Sequence, residues 1–103
     1  GPSAQWDPKE VRANEFMGSL LVPAPLIRVD SLRLVKRNRL PLSPKPSQVI
    51  IGAPAIDGAA INAEAATEVL FALGELYGVY SDFIRVRLAR YDLLRTPRPV
   101  IFH

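Results

Sequence analysis

Ser81-Asp82-Phe83-Ile84-Arg85-Val86-Arg87-Leu88-Ala89-Arg90-Tyr91-Asp92-Leu93-Leu94 decides the fold, because it satisfies two incompatible periods. Read as a helix, it has Ser81 as a cap and carries Ile84, Leu88 and Tyr91 on one face. Read as a strand, Ile84-Arg85-Val86-Arg87-Leu88 alternates strictly, which is the period of a half-buried strand. Periodicity does not choose between them. The helix extends a helix-turn-helix-like pair across 62–94. The strand, with Gln48–Ile51, would close a β-α-β unit with a right-handed crossover.

The residues just before read as the best helix in the chain, which both readings keep. Asn62 can cap a helix in which Ile61, Ala65, Val69 and Leu73 form one i, i+4 row, with Leu70, Leu76 and Tyr77 beside it. Glu64, Glu68 and Glu75 line the other side, and Gly78 is a natural stop. Further back, Gln48-Val49-Ile50-Ile51 is a short β-favourable run broken by Gly52 and Pro54, and Asp57-Gly58 marks a turn. Pro41, Pro44 and Pro46 with Ser43 and Ser47 make 39–60 a loop or insertion. Residues 26–38 fit a helix through Val29, Leu32 and Val35, and a strand through Leu32 and Leu34 about Arg33.

At the N-terminal end, Gly1-Pro2-Ser3 reads as the remnant of a cleaved expression tag, leaving 4–103 as a single domain. Asp7-Pro8-Lys9-Glu10 is a helix start, with Asp7 as cap, Pro8 at the first helical position and Glu10 at capping-box spacing. Ala13, Phe16, Met17, Leu20 and Leu21 then give one apolar face over 8–21, ended by Pro23 and Pro25. Trp6 reads as a hydrophobic staple and Val100–Phe102 as a terminal strand or docking tail. The expected fold is therefore mostly α with a short β element: helix, Pro-rich loop, helix-turn-helix-like pair. The alternative is α+β, with strands near 48–52 and 83–89.

Composition excludes several chemistries. The chain has 103 residues, no cysteine and one histidine, His103. No disulfide framework, thiolate nucleophile or Ser-His-Asp triad can be built from it alone. No Gly-rich loop leads into Lys-Ser/Thr, so a phosphate cradle is unsupported. Ser19, Ser31, Ser43, Ser47 and Ser81 have no histidine or lysine partner at readable spacing. No apolar run reaches the roughly 18–20 residues of a membrane span, and cytoplasmic residence is the default expectation.

The charge of +3 is segregated. Arg28, Arg33, Lys36, Arg37, Arg39 and Lys45 stand against Asp30 alone, whereas 46–84 holds Asp57, Glu64, Glu68, Glu75 and Asp82 with no Lys or Arg. Arg85, Arg87, Arg90, Arg95 and Arg98 then follow against Asp92. Two basic blocks about an acidic one either pair internally, arginines against the helix 62–77, or display a basic patch to an anionic partner.

Two motifs together resemble the ImmA/IrrE family of zinc metallopeptidases. Glu10-Val11-Arg12-Ala13-Asn14-Glu15-Phe16-Met17-Gly18-Ser19-Leu20-Leu21-Val22-Pro23 is similar to the family helix running Glu, two residues, Ala-Asn or Ala-Asp, an aromatic, then Leu-Leu-Met-Pro. Leu73-Gly74-Glu75-Leu76-Tyr77-Gly78-Val79, with Ile84-Arg85-Val86-Arg87-Leu88 and Asp92-Leu93-Leu94, resembles the helix-turn-helix-like segment that follows the peptidase core. The matched positions cover about a third of the chain and stand in the family order.

The resemblance implies a C-terminal region of such a peptidase, whose whole protein recognises and cleaves a helix-turn-helix repressor in stress or phage gene regulation. The departures are specific. His-Glu-x-x-His is absent from this chain, Tyr80 replaces a polar turn residue, and 39–60 is unmatched. Glu10 matches the family's third zinc ligand, which implies a zinc role only with histidines from a segment outside this sequence; read by itself it is a capping glutamate. No catalytic residue and no cofactor is expected in the chain. Arg85, Arg87 and Arg90 are the expected contacts to a protein partner such as a repressor, or to nucleic acid, and no membrane partner is expected. The competing readings are a small α+β oligomeric interaction module, a DNA-binding helix-turn-helix domain, and a protein-binding domain docking through 41–46 or Val100–Phe102.

Overall fold

The structure is a computed structural model and describes residues 8–96, without the side chains of residues 8–11, 13 and 14. The expectations for Trp6, Asp7, Val100–Phe102 and His103, and for the side chain of Glu10, lie outside the described residues. In chain order the elements are α1 (Pro8–Leu21), α2 (Ala24–Asn38), β1 (Ile56–Asp57), α3 (Ala63–Tyr77), α4 (Ser81–Arg90) and β2 (Leu94–Arg95). The fold is mostly α with one two-stranded parallel sheet.

The deciding stretch is helical. A half-buried strand would put Val86 on the same side as Ile84 and Leu88; instead Val86 is exposed while Ile84, Arg87 and Leu88 are buried. Those three stand at i, i+3 and i+4, the spacing of one helical face. Tyr80 occupies the cap position, without a side-chain cap, and Ser81 begins the helix proper. The α+β alternative fails at both proposed strands. Residues 48–52 form turns, and 83–89 lie in α4.

Asn62 caps α3 as expected, its Oδ1 accepting from the Ala65 N–H at 2.7 Å. Gly78, at φ 69°, ends it in the left-handed region. α3 and α4 close around that turn so tightly that a Cβ on Gly74 would sit 2.7 Å from the Val79 carbonyl oxygen. The ambiguous stretch 26–38 is the helix α2. Ile27, Ser31 and Val35 are its buried row, and the Ser31 hydroxyl donates to the Ile27 carbonyl at 2.6 Å rather than seeking a distant partner.

The core gathers Val22, Ile27 and Val35 from the first half with Val69, Leu73, Ile84 and Leu88 from the second. The Pro-rich segment is more than a linker. Leu42 bridges Ile56, and Ile56 pairs with Leu94 in parallel register. The buried Ser47 hydroxyl donates to the Tyr91 carbonyl at 2.8 Å, and the Ile50 N–H donates back to that hydroxyl at 2.9 Å. Asp92, at φ 58°, accepts from the Gln48 N–H at 2.8 Å and from the Arg95 guanidinium at 2.5 and 2.9 Å. Arg95 also reaches the Pro46 carbonyl at 2.9 Å. The corner after α4 therefore clips the loop to the body of the fold.

Candidate recognition surface

The three expected contact arginines share α4 but not one environment. Arg87 is 3% exposed and points into the seam between α4 and α1. Its Nη1 donates to Glu15 Oε2 at 3.2 Å, and its guanidinium carbon lies 4.7 Å from the centre of the Tyr91 ring. Its Nε is buried without a partner. Arg90 Nε meets the other Glu15 oxygen at 3.1 Å. Arg85 is exposed and pairs with Asp82 one turn earlier at 3.7 Å. Arg87 is thus an internal strut and is not presented outward, while Arg85 and Arg90 remain at the surface, each with a carboxylate already beside it.

The seam has a local cause. Gly18 leaves room for the Arg87 stem: a Cβ there would lie 2.7 Å from the guanidinium carbon. Ser19 Oγ stands 3.5 Å from Arg87 Nη2, and the Tyr91 hydroxyl donates to the Val22 carbonyl at 2.8 Å. Glu15, Gly18, Ser19 and Val22 form the row by which α1 docks on α4. The apolar row is on the other side. Phe16, Met17, Leu20 and Leu21 are 65%, 50%, 58% and 43% exposed. The apolar face read from the sequence faces solvent. The sequence signal for this orientation is the small-residue pair Gly18-Ser19 at helical spacing from Glu15 and Val22, a row that close packing favours.

Glu10 stands on α1, two turns before Met17. Among the described residues no group of three or more His, Cys, Asp or Glu side chains is placed to hold a metal ion. A shallow cleft of about 670 Å³ beside the helix turn is lined by Phe71, Glu75, Val79, Tyr80 and Phe83 among others. Its one charged side chain is Glu75, so it offers apolar and aromatic contact without an acid–base pair. The internal pairing expected between the basic blocks and the acidic helix is also not found. Among the described residues, no ion pair joins any arginine or lysine to Glu64, Glu68 or Glu75. Those three glutamates are exposed, on the side of α3 away from its buried row.

Compared with protein families, with curated proteins and with solved structures, the chain matches none. No helix among the described residues is long and apolar enough to cross a membrane.

Proposed function

We propose that this chain acts by protein recognition without catalysis of its own, as a fragment or relative of a repressor-cleaving zinc peptidase of the ImmA/IrrE type. The observation that carries the reading is the outward apolar face of α1. Four large side chains, each about half exposed, amount to roughly 400 Å² of apolar surface on one helix, the size of the largest patch on a typical monomer, which is often functional. That helix is also the first motif of the family resemblance, and α3–turn–α4 has the helix-turn-helix-like form of the second. In this reading the protein is cytoplasmic, and its partner presents an apolar surface to Phe16, Met17 and Leu20. Glu10 becomes a zinc ligand only if histidines come from a segment outside this sequence. Against α4 as a DNA-reading helix stand the burial of Arg87 and the carboxylates already beside Arg85 and Arg90.

Zinc titration tests the peptidase half of the reading. The chain alone is expected to show no sub-micromolar site. The protein expressed from its whole reading frame is expected to bind one zinc, and Glu10→Gln to weaken that site. A reading frame without His-Glu-x-x-His overturns membership in a working peptidase. Met17→Glu with Leu20→Glu tests the recognition half. The pair is expected to abolish capture of a helix-turn-helix repressor with the melting temperature unchanged, and undiminished capture counts against α1.

A further inference from the structure

α2 and α3 each carry an exposed stripe of charge in which, among the described residues, only Arg33 has an ion-pair partner. The two helices run in opposite directions. Tyr77, at the end of α3, donates its hydroxyl to Asp30 in α2 at 2.5 Å, while the end of α2 and the start of α3 line one shallow groove of about 400 Å³. Leu34, Arg37 and Asn38 contribute one wall of that groove, and Ala65, Glu68 and Ala72 the other. Arg37 and Glu68 thus face the same groove, yet no ion pair joins them.

Beyond the groove each helix shows a solvent stripe of one sign. Leu26, Val29, Arg33, Lys36 and Arg37 are exposed on α2 at i, i+3, i+7, i+10 and i+11, opposite its buried row of Ile27, Ser31 and Val35. Among the described residues, only Arg33 of these has a carboxylate partner, Asp30 at 3.4 Å. Glu64, Glu68, Phe71 and Glu75 are exposed on α3 at i, i+4, i+7 and i+11, opposite Val69 and Leu73. The order along the helices also corresponds. With Asp30 beside Tyr77 and Arg37 beside Glu68, Arg33 lies level with the Phe71–Glu75 turn of α3, and Leu26 and Val29 toward its C-terminal end.

We infer that the α2–α3 face binds a second copy of this chain about a two-fold axis, the basic stripe of each α2 lying on the acidic stripe of the other copy's α3. A two-fold axis running along the helices exchanges α2 and α3 across the interface and keeps their antiparallel sense. Arg37 and Arg33 then lie level with Glu68 and Glu75 of the second copy, and both contacts occur twice. The product is an antiparallel four-helix layer, for which the small Ala65 and Ala72 allow close approach. A face carrying a single sign would repel its own copy; this one carries both signs, side by side and in register. Two helices about 22 Å long present roughly 500 Å² per copy, below the ~800 Å² of a standard interface. The dimer is therefore weak and salt-sensitive. The inference is independent of the peptidase reading and uses a different surface from the apolar row of α1.

Charge reversal tests it on the whole chain by sedimentation equilibrium. At roughly 0.1–1 mM protein and about 0.05 M salt, the mass is expected to approach twice 11.4 kDa, and to return to the monomer near 0.5 M salt. Arg33→Glu with Arg37→Glu is expected to weaken association at least tenfold, and Glu68→Lys with Glu75→Lys likewise. Mixing the two variants is expected to restore a heterodimer, since each basic stripe again faces an acidic one. Circular dichroism melts establish that both variants fold. Dilution of the wild type followed by amide NMR needs no variant, and shifts are expected over 26–37 and 64–75. A wild type that stays monomeric at low salt overturns the inference. So does a dimer untouched by both reversals, which places the contact on α1, or a mixture that stays monomeric. Duplex DNA binding that survives about 0.2 M salt, with no protein dimer, assigns the α2 stripe to nucleic acid and also overturns it.

Discussion

The arginines after residue 80 and the basic residues of α2 differ in what they meet, although the two sets look alike in the sequence. Arg85, Arg87, Arg90 and Arg95 each have a carboxylate: Asp82, Glu15, Glu15 and Asp92. In α2 and its exit, among the described residues, Arg28, Lys36, Arg37, Arg39 and Lys45 have none. Composition does not cause the difference, since Glu64, Glu68 and Glu75 are equally without ion-pair partners among the described residues. Geometry does. The later block has acids three residues upstream or on a packed neighbour, whereas the α2 cations and α3 anions lie on parallel outward stripes. One set of charges holds the fold together and the other is displayed.

Arg87 provides the largest test of this contrast. Arg87→Ala removes a buried stem from the α1–α4 seam and is expected to destabilise by about 2–3 kcal/mol, read by urea unfolding. Arg87→Met is expected to cost under ~1 kcal/mol, because Glu15 is half exposed and keeps Arg90. If both variants cost the same, the guanidinium charge holds the seam and the packing account is wrong. Arg37→Ala, on the displayed side, is expected to change stability by less than ~0.5 kcal/mol.

Arg95 comes next in size. It joins Asp92, Ser43 and the Pro46 carbonyl, so Arg95→Ala frees the Pro-rich loop from the corner after α4. The expected loss is about 1–2 kcal/mol, with faster hydrogen exchange at Gln48 and Ile50 than at the centre of α3. Exchange that rises equally everywhere would mean that the loop is no separate latch.

How much of this was legible in the sequence depends on whether the signal was local. The ends of α3 were, because Asn62 and Gly78 act within one turn of the helix they bound. The span of α1 was legible, but the direction of its apolar face was not, since that depends on Arg87, which is remote in the chain. Period alone could not choose between helix and strand for 81–90. The choice is decided by what Ile84 and Leu88 pack against, and by Val86 being left outside. The clip from Tyr91, Asp92 and Arg95 across to 46–50 is also non-local, so a run of prolines read as loose loop. For the candidate site, residue type was readable for Arg85, Arg87 and Arg90, but their environment was not.

The pH dependence of the clip is a smaller effect with a definite sign. Hydrogen bonds from Arg95, and then from the Gln48 N–H, hold the Asp92 carboxyl below its ordinary value. A carboxylate with a lowered folded value contributes stability that is complete above the unfolded value of about 3.9 and is lost as pH falls through the lowered one. Asp92→Asn, which also tolerates a positive φ, is expected to remove that part of the acid slope while leaving the curve near neutrality parallel to the wild type. An unchanged slope below pH ~4 would mean that the charge on Asp92 does not matter to the clip.

Arg39 gives the only gain, and a small one. It ends α2 at φ 50°, in the left-handed region where a side chain costs roughly 1 kcal/mol and glycine costs nothing comparable. Its backbone N–H donates to the Val35 carbonyl, which glycine preserves. Its side chain is exposed and makes no ion pair among the described residues. Arg39→Gly is therefore expected to stabilise by about 0.5 kcal/mol, less than the strain because glycine also loosens the unfolded chain. Self-association is expected to be unchanged, since Arg39 lies off the α2 stripe. If Arg39→Gly destabilises instead, the side chain makes a contact that outweighs its backbone strain. The line between bound arginines and displayed ones would then have to be redrawn at the end of α2.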